Sequence, residues 1–277
     1  MKILNIKNPF GAAVYHEETL SSTFDAARML AEQAEAHGTV ICADFQEVGR
    51  GRPKPGLMQG RPWFAERGKC LLFTILLRYK DFSFIPPALT LRTGLALSFA
   101  IEELIPSLKD AVQIKWPNDI MIGSRKIAGI LAEADGKNVY IGVGVNVAQG
   151  QFPEELSTGN PENPSKAISL IQVYPELAQN VRYTLLEKIL FHLYKEIEKP
   201  AIEKLDNCGS LHLPWQERLY SKLYKRGETV TFVEGSAESG CLIKGVLSGI
   251  GKGGELLIIP LGEENERAFV TGELRVY

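Results

Sequence analysis

The sequence predicts an α+β protein: a mixed β-sheet with helices packed on it over residues 1–222, followed by a small β-barrel-like domain over residues 223–277. Three observations carry this prediction. Segments of helical period alternate with short β-branched runs through most of the chain. Near Arg226-Gly227-Glu228 the character changes to short β runs joined by glycine turns. A length of 277 residues also exceeds a typical single domain, and one large domain with a small one is the natural division.

Taken in order, Ser21-Ser22-Thr23-Phe24-Asp25 leads into an alanine-rich amphipathic helix through Glu35, with hydroxyls suited to its N-cap and Gly38 as its stop. Residues 39–45 form a buried strand that delivers Gln46 and Gly49-Arg50-Gly51-Arg52 to its exit. Residues 70–77 form a core strand, and residues 87–105 a helix apolar nearly all round, hence buried scaffold. Residues 113–133 read as strand, proline-fixed bend and strand. In the strand over residues 139–147, Gly142 and Gly144 remove side chains from a surface where something comes close. Residues 149–164 form a surface loop, and residues 175–202 a long amphipathic helix. Runs at 229–233, 243–250, 255–260 and 269–276 supply the terminal β domain. Gly249, Gly251 and Gly254 spell G-x-G-x-x-G, but they join two strands with no helix to receive a pyrophosphate, so they form no dinucleotide fingerprint.

Two stretches carry chemistry. Between Arg50 and Lys69 six basic residues (Arg50, Arg52, Lys54, Arg61, Arg67, Lys69) face one acidic residue, Glu66, inside a chain of net charge −2. Glycines and prolines through the same stretch argue for a long mobile loop. Arginine alternating with glycine suits a phosphate or carboxylate clamp, because glycine lets backbone N–H groups approach an anion while guanidinium groups fork onto its oxygens. Trp63 in this loop is ordinarily a packing residue, and beside a nucleotide it would cover the base. The second stretch is Lys115-Trp116-Pro117-Asn118-Asp119, which crowds a cation, an aromatic, an amide and a carboxylate around a bend. Beyond it Arg125 and Lys126 stand at the rim of an apolar strand, and a lysine so placed holds a phosphate or carboxylate as a point charge.

Composition excludes other classes. The net charge gives no global field for nucleic acid or anionic lipid. Cys42, Cys70, Cys208 and Cys241 form no C-x-x-C pair, against a zinc site or disulfide framework, and are expected to be buried or half-buried thiols. The N-terminus lacks the apolar core of a signal peptide, and no run is expected to approach the ~18 apolar residues that span a bilayer, so a cytoplasmic protein without membrane contact is expected. The four histidines are scattered and fit no metal or base assignment, and P-loop, kinase, zincin and nucleophile-elbow motifs are absent.

The K-W-P-N-D run followed by R-K-I-A-G-I-L-A-E resembles the biotin protein ligases, and the resemblance extends from about Tyr15 to the C-terminus. It implies a class II synthetase-like catalytic domain that uses ATP, with Mg²⁺ accompanying it, to activate biotin as biotinyl-5′-AMP. It further implies transfer of biotin to a lysine of a biotin carboxyl carrier protein. By the same resemblance Ser22, Thr23, Gln46, Arg50, Gly51, Arg52 and Lys126 meet biotin, and Arg61, Trp63, Asn118 and Asn146 meet ATP. Lys126, Arg52, Asp119 and Lys115 carry the chemistry, and no metal is held by protein ligands alone. Asp119 either orients Lys126 or helps hold Mg²⁺. The chain departs from the family in Phe24, where asparagine is usual, and in the extra residues 53–59. Many of these ligases carry a helix-turn-helix, for which the residues before Ser22 are too few, so no DNA binding is expected; a homodimer is possible. Lipoate or octanoate transfer is the alternative chemistry, and a biotin or nucleotide sensor without turnover the alternative class.

Overall fold

The computed structural model describes residues 1–52, 61–158, 166–178, 180–198, 204–205, 211–212, 214–235 and 240–275. In chain order the elements are β1 (Lys2–Ile3), β2 (Val14–Leu20), α1 (Thr23–Glu32), β3 (Thr39–Gln46), β4 (Cys70–Arg78), α2 (Leu89–Leu104), β5 (Val112–Lys115), β6 (Asp119–Ile122), β7 (Arg125–Asp135) and β8 (Asn138–Asn146). There follow α3 (Glu154–Thr158), β9 (Lys166–Ala167), α4 (Leu170–Val173), α5 (Val181–Ile197), β10 (Lys204–Leu205), β11 (Leu211–His212) and α6 (Pro214–Lys222). The last are β12 (Thr229–Glu234), β13 (Cys241–Ile250), β14 (Leu256–Pro260), β15 (Arg267–Phe269) and β16 (Gly272–Arg275).

The main sheet runs β1-β2-β3-β4-β8-β7-β6-β5, with β9 beside the start of β7. It is mixed, since β2–β3 and β7–β9 pair parallel and the other neighbours antiparallel. Alternation along the strands sorts side chains onto two faces. One face sends Val40, Phe73, Ile75, Ile141 and Val143 into the main core with Leu95 and Ile101 of α2 and Leu186 and Ile189 of α5. The other sends Ile41, Leu76 and Tyr140 against Phe24, Ala27 and Leu30 of α1. Being ten residues long, α1 covers only part of that second face. The rest, at Leu72, Gly142, Gly144, Gly129 and Leu131, is the floor of a cleft.

The small sheet has the order β15-β14-β13-β12-β16, antiparallel throughout. Its core of Phe232, Ile258, Phe269 and Leu274 is continuous with the main one through Trp116, whose ring meets Phe232 edge-on at 6.0 Å. The Trp116 indole N–H donates to Gly254 O at 2.9 Å. The G-x-G-x-x-G stretch therefore serves as a strand connection that receives a tryptophan.

Several expectations are corrected. The first helix ends at Glu32 rather than at Glu35, because Ala34 already adopts a left-handed φ of 62°. The helix expected over 175–202 is Val181–Ile197 among the described residues, Pro175 and Glu176 forming a turn before it. The last expected strand is two, Arg267–Phe269 and Gly272–Arg275. The stretch Phe82–Leu104 does reach the length and apolar character of a membrane-crossing helix, with a mean hydropathy of 1.4, but most of it is buried within the protein. Cys42 and Cys70 are buried free thiols as expected, burial pushing each up to about 12, whereas Cys241 is exposed. Cys208 and the insertion at 53–59 lie outside the described residues.

Candidate active site

The cleft begins at the N-terminus of α1. Ser22 is the N-cap, its Oγ accepting from Phe24 N at 3.2 Å, which satisfies one of the orphan donors of the first turn. Thr23 N–H donates to Gln46 Oε1 at 2.7 Å and Thr23 Oγ1–H to the same oxygen at 2.9 Å. Thr74 Oγ1, fully buried on β4, lies 2.9 Å from Thr23 Oγ1. Gln46 reaches this position because β3 runs three residues past Ala43, its last buried residue, before the basic loop begins.

The basic loop is less irregular than its glycines and prolines predict. Gly51 N donates to Arg61 O at 2.7 Å, Arg61 N to Arg52 O at 3.2 Å and Trp63 N to Gly49 O at 2.9 Å. The two described arms thus pair as a short ribbon, with a bridge between Arg50 and Pro62. The ribbon lays the Trp63 ring on the sheet floor: a Cβ at Gly144 would lie 2.6 Å from Trp63 Cε2, and one at Gly129 2.9 Å from Trp63 Cζ3. At Gly142 a Cβ would collide with the Phe24 ring. The three glycines are therefore where two aromatic rings meet backbone, which accounts for the missing side chains. Arg50 is tied to Asp25 Oδ1 at 3.0 Å, with its guanidinium 5.5 Å from the centre of the Phe24 ring. Phe24, the departure from the family pattern, thus packs on Gly142 and supports Arg50.

At the other end the hairpin β6–β7 carries a bulge. Ile120 pairs with Ala128 but Met121 pairs with Lys126, leaving Ile127 as the extra residue. A bulge re-aims the side chains beside it, and here it sets Lys126 on the same face as Gly129 and Asp119. Lys126 Nζ lies 2.6 Å from Asp119 Oδ1 and 5.5 Å from the centre of the Trp63 ring. Lys115, 6% exposed, stands next to this pair. Burial lowers the Lys115 ammonium from its ordinary value, opposed by Asp119 and reinforced by Lys126. Burial alone would raise the Asp119 carboxyl, but Lys126 and Lys115 outweigh it and hold the group below its ordinary 3.8. Arg61 pairs with Glu273 of β16 at 3.0 Å and 3.4 Å, and Arg52 Nη1 points at Gly272 O from 3.5 Å.

Of the residues expected in the site, Thr23, Gln46, Arg50, Gly51, Arg52, Arg61, Trp63, Lys115, Asn118, Asp119, Lys126 and Asn146 all line this one cleft. Ser22 does not, being a buried cap behind it. Asn118 and Asn146 are walls, each tied to a backbone carbonyl through its side-chain amide: Asn118 Nδ2 donates to Ile130 O at 2.7 Å and Asn146 Nδ2 to Ile168 O at 3.1 Å. Two residues went unsingled in the sequence, Glu273 and Thr74. A hydroxyl inside the apolar run Cys70-Leu71-Leu72-Phe73-Thr74-Ile75-Leu76-Leu77 was the available signal for the second. No cluster of three or more potential metal ligands exists among the described residues. The lining carboxylates, Asp119 and Glu273, each pair with a cation, Asp119 with Lys126 and Glu273 with Arg61.

Comparison with known proteins follows this geometry. Residues 17–146 match the model of the Biotin/lipoate A/B protein ligase family. The chain is 37% identical over 150 residues to the bifunctional ligase/repressor BirA of Bacillus subtilis, covering 52% of this chain and 43% of that one. It is 34% identical over 143 residues to a biotin--[acetyl-CoA-carboxylase] ligase of Mycobacterium tuberculosis, covering 50% of each. These matches thus span half or less of the curated relatives' length. Over nearly its whole length the chain superposes on a biotin protein ligase from Aquifex aeolicus solved with biotin and ATP, with a TM-score of 0.69 and 26% identity, covering 95% of this chain and 97% of that one.

Proposed function

From the match of residues 17–146 to the biotin/lipoate A/B protein ligase family model, we propose that the protein activates biotin with ATP as biotinyl-5′-AMP and transfers it to a lysine of a biotin carboxyl carrier protein. The observation that carries this is the polarity of the cleft. A neutral, directed hydrogen-bonding end at Thr23 and Gln46 is joined across a glycine floor to a cationic end at Lys115, Lys126, Arg52 and Arg61. Such a cleft fits a ligand with a polar head, an apolar middle and an anionic tail.

In the first step the ligand carboxylate attacks the α-phosphorus of ATP, forming the mixed anhydride and releasing pyrophosphate. A carboxylate is already ionised at neutral pH, so no general base is needed, which agrees with a cleft lined by neither histidine nor cysteine. The demand is to bring two anions together, and that is met by fixed charges and positioning. Lys126 is held by Asp119 and faces both the ligand tail and the phosphates, while Arg52 and Lys115 add positive charge beside it. Mg²⁺ accompanying ATP would neutralise phosphate charge, and Asp119, paired with Lys126, is the lining carboxylate that would either orient that lysine or help hold the ion. In the second step the acceptor amine attacks the anhydride carbonyl and AMP leaves. Trp63 and the basic ribbon lie over the floor and exclude water that would hydrolyse the anhydride.

The same reading treats residues 1–222 as the catalytic domain and residues 223–277 as a small domain that braces it, through the contacts of Glu273 with Arg61 and of Gly254 with Trp116. It places the reaction in the cytoplasm and gives nucleic acid no part in it. Pyrophosphate exchange into ATP, run with biotin, lipoate and octanoate in parallel, tests the proposal. Exchange supported by biotin alone is expected. Exchange with lipoate or octanoate instead would keep the chemistry and overturn the substrate, and tight biotin binding without exchange would make the protein a sensor.

A further inference from the structure

The two arms of the basic ribbon reach the same dipeptide of the small sheet. Arg52, on the outgoing arm, points Nη1 at Gly272 O from 3.5 Å, and Arg61, on the return arm, pairs with the Glu273 carboxylate at 3.0 Å and 3.4 Å. This dipeptide opens β16 and is held firmly. Gly272 has a φ of 147° and lies against the Phe232 ring, where a Cβ would come within 2.3 Å of Cζ, and Leu274 is 1% exposed in the small core. Alternation along the strand turns Glu273 away from that core and onto the cleft wall, where its side chain is only 14% accessible. Its field reaches past Arg61: burial lowers the Lys115 ammonium, and Asp119 and then Glu273 oppose that. Among the described residues that line the cleft, Asp119 and Glu273 are the two carboxylates, and Asp119 is paired with Lys126.

We propose that Glu273 is a resident anion of the nucleotide end, a carboxylate that stands on Arg61 where a phosphate would stand, yields it when nucleotide binds and retakes it when the phosphates leave. The inference rests on the ligase reading above and deepens it, by naming a residue that sets nucleotide affinity. Four of the lining cations, Arg52, Arg61, Lys115 and Lys126, repel one another, and a fixed carboxylate offsets part of that repulsion before ATP arrives. A triphosphate carries more charge than the acid and so wins the arginine. It does so against like charge on a strand anchored at Gly272 and Leu274, and the acid therefore weakens nucleotide binding. A carboxylate that only oriented Arg61 for the phosphates would strengthen nucleotide binding, so the two roles differ in sign.

The test is calorimetric titration of wild type and Glu273→Gln with AMP and with an ATP analogue bridged by methylene between the α- and β-phosphorus, which binds without being consumed. Glu273→Gln keeps the shape of the side chain and removes its charge. It is expected to bind the analogue about fivefold more tightly than wild type does, to gain less for AMP, and to lose most of the gain in 1 M potassium chloride, where the Debye length is ~3 Å. Equal or weaker binding of the analogue by Glu273→Gln overturns the proposal and leaves the ligase reading intact, as does a gain that is the same for both nucleotides or indifferent to salt. A wild type that binds neither nucleotide removes both. Thermal unfolding gives a second measurement through linkage. Without nucleotide Glu273→Gln should melt below wild type, because the cations lose a counter-charge, and saturating analogue should close the gap. A gap that persists unchanged overturns the proposal as well.

Discussion

On the proposed function, the two ends of the cleft would hold their ligand groups by different physics. At the head end, Thr23, Gln46 and Thr74 are neutral, and everything depends on the direction of a few hydrogen bonds. At the tail end, Lys115, Asp119, Lys126, Arg61 and Glu273 form interlocked charges in which the protein supplies its own counter-ions. Directed hydrogen bonds discriminate between ligands of equal charge, because an unmatched partner is costly and a shift of a few tenths of an ångström matters. Fixed charges discriminate little but act over longer distances and respond to developing charge in a transition state. The head end should therefore decide which acid is bound, and the tail end how fast it is activated.

The sharpest way to break that division is Lys126→Ala. It should lower pyrophosphate exchange by about 100-fold, on the order of 3 kcal/mol, with biotin affinity changed far less. Loss of biotin binding on the same scale as the rate would show that the two ends are not separable. Asp119→Asn comes next, because it leaves Lys126 and Lys115 without their nearby counter-charge. Denaturation at pH 7 should show a loss of about 2 kcal/mol, the scale of a hydrogen bond to a charged group. The folded carboxyl is held below its ordinary 3.8, so its stabilisation is fully present above that pH and is lost as pH falls through the folded value. The gap between wild type and variant should accordingly close on acidification from pH 5 towards pH 3. A gap that stays constant would mean that the carboxylate charge contributes nothing.

The comparison also explains what could be read from the sequence. The charged end was legible because Lys115, Asp119 and Lys126 stand within twelve residues of one another, and the antiparallel run β5-β6-β7 keeps such neighbours close. The bulge at Ile127 that turns Lys126 towards Asp119 was not legible, since it is set by register with β6 rather than by any local signal. Trp116 and Asn118 looked like members of the same constellation. Both do line the cleft, but the Trp116 indole N–H is held by Gly254 and the Asn118 amide by Ile130, because a bend points successive side chains in different directions. The neutral end draws on α1, β3 and β4, and Thr74 joins it only through sheet pairing far along the chain. Its serine and threonine also read as ordinary helix caps, and Ser22 is one. The strands, the helices and the small β domain were visible from periodicity and the mixed sheet from the family resemblance, whereas the pairing of the ribbon arms at Arg50 and Pro62 was hidden by glycines and prolines that usually oppose strands.

At the head end, Gln46→Ala should weaken biotin binding by about tenfold through loss of its donors and of the acceptor for Thr23. Adenylation at saturating biotin should stay within a few-fold of wild type. A fall in the saturated rate as large as that in affinity would place Gln46 in the chemistry and collapse the distinction between the ends.

The smallest expected effect separates the ends without any substitution. The Debye length falls from ~8 Å at 0.15 M salt to ~3 Å at 1 M, so added potassium chloride should raise the KM for ATP several-fold by screening the partly exposed Arg61 and Lys126, whose side chains are 34% and 25% accessible. Biotin also carries a carboxylate, so its affinity is not wholly immune, but one anionic charge against the several of the triphosphate predicts a change within about twofold. The measurement is a pair of titrations across one salt series, with biotin followed by calorimetry and ATP by exchange kinetics. Parallel salt slopes would mean that the charged end contributes as much to holding the acid as to holding the nucleotide, and the head group's hydrogen bonds would then be left with selectivity alone.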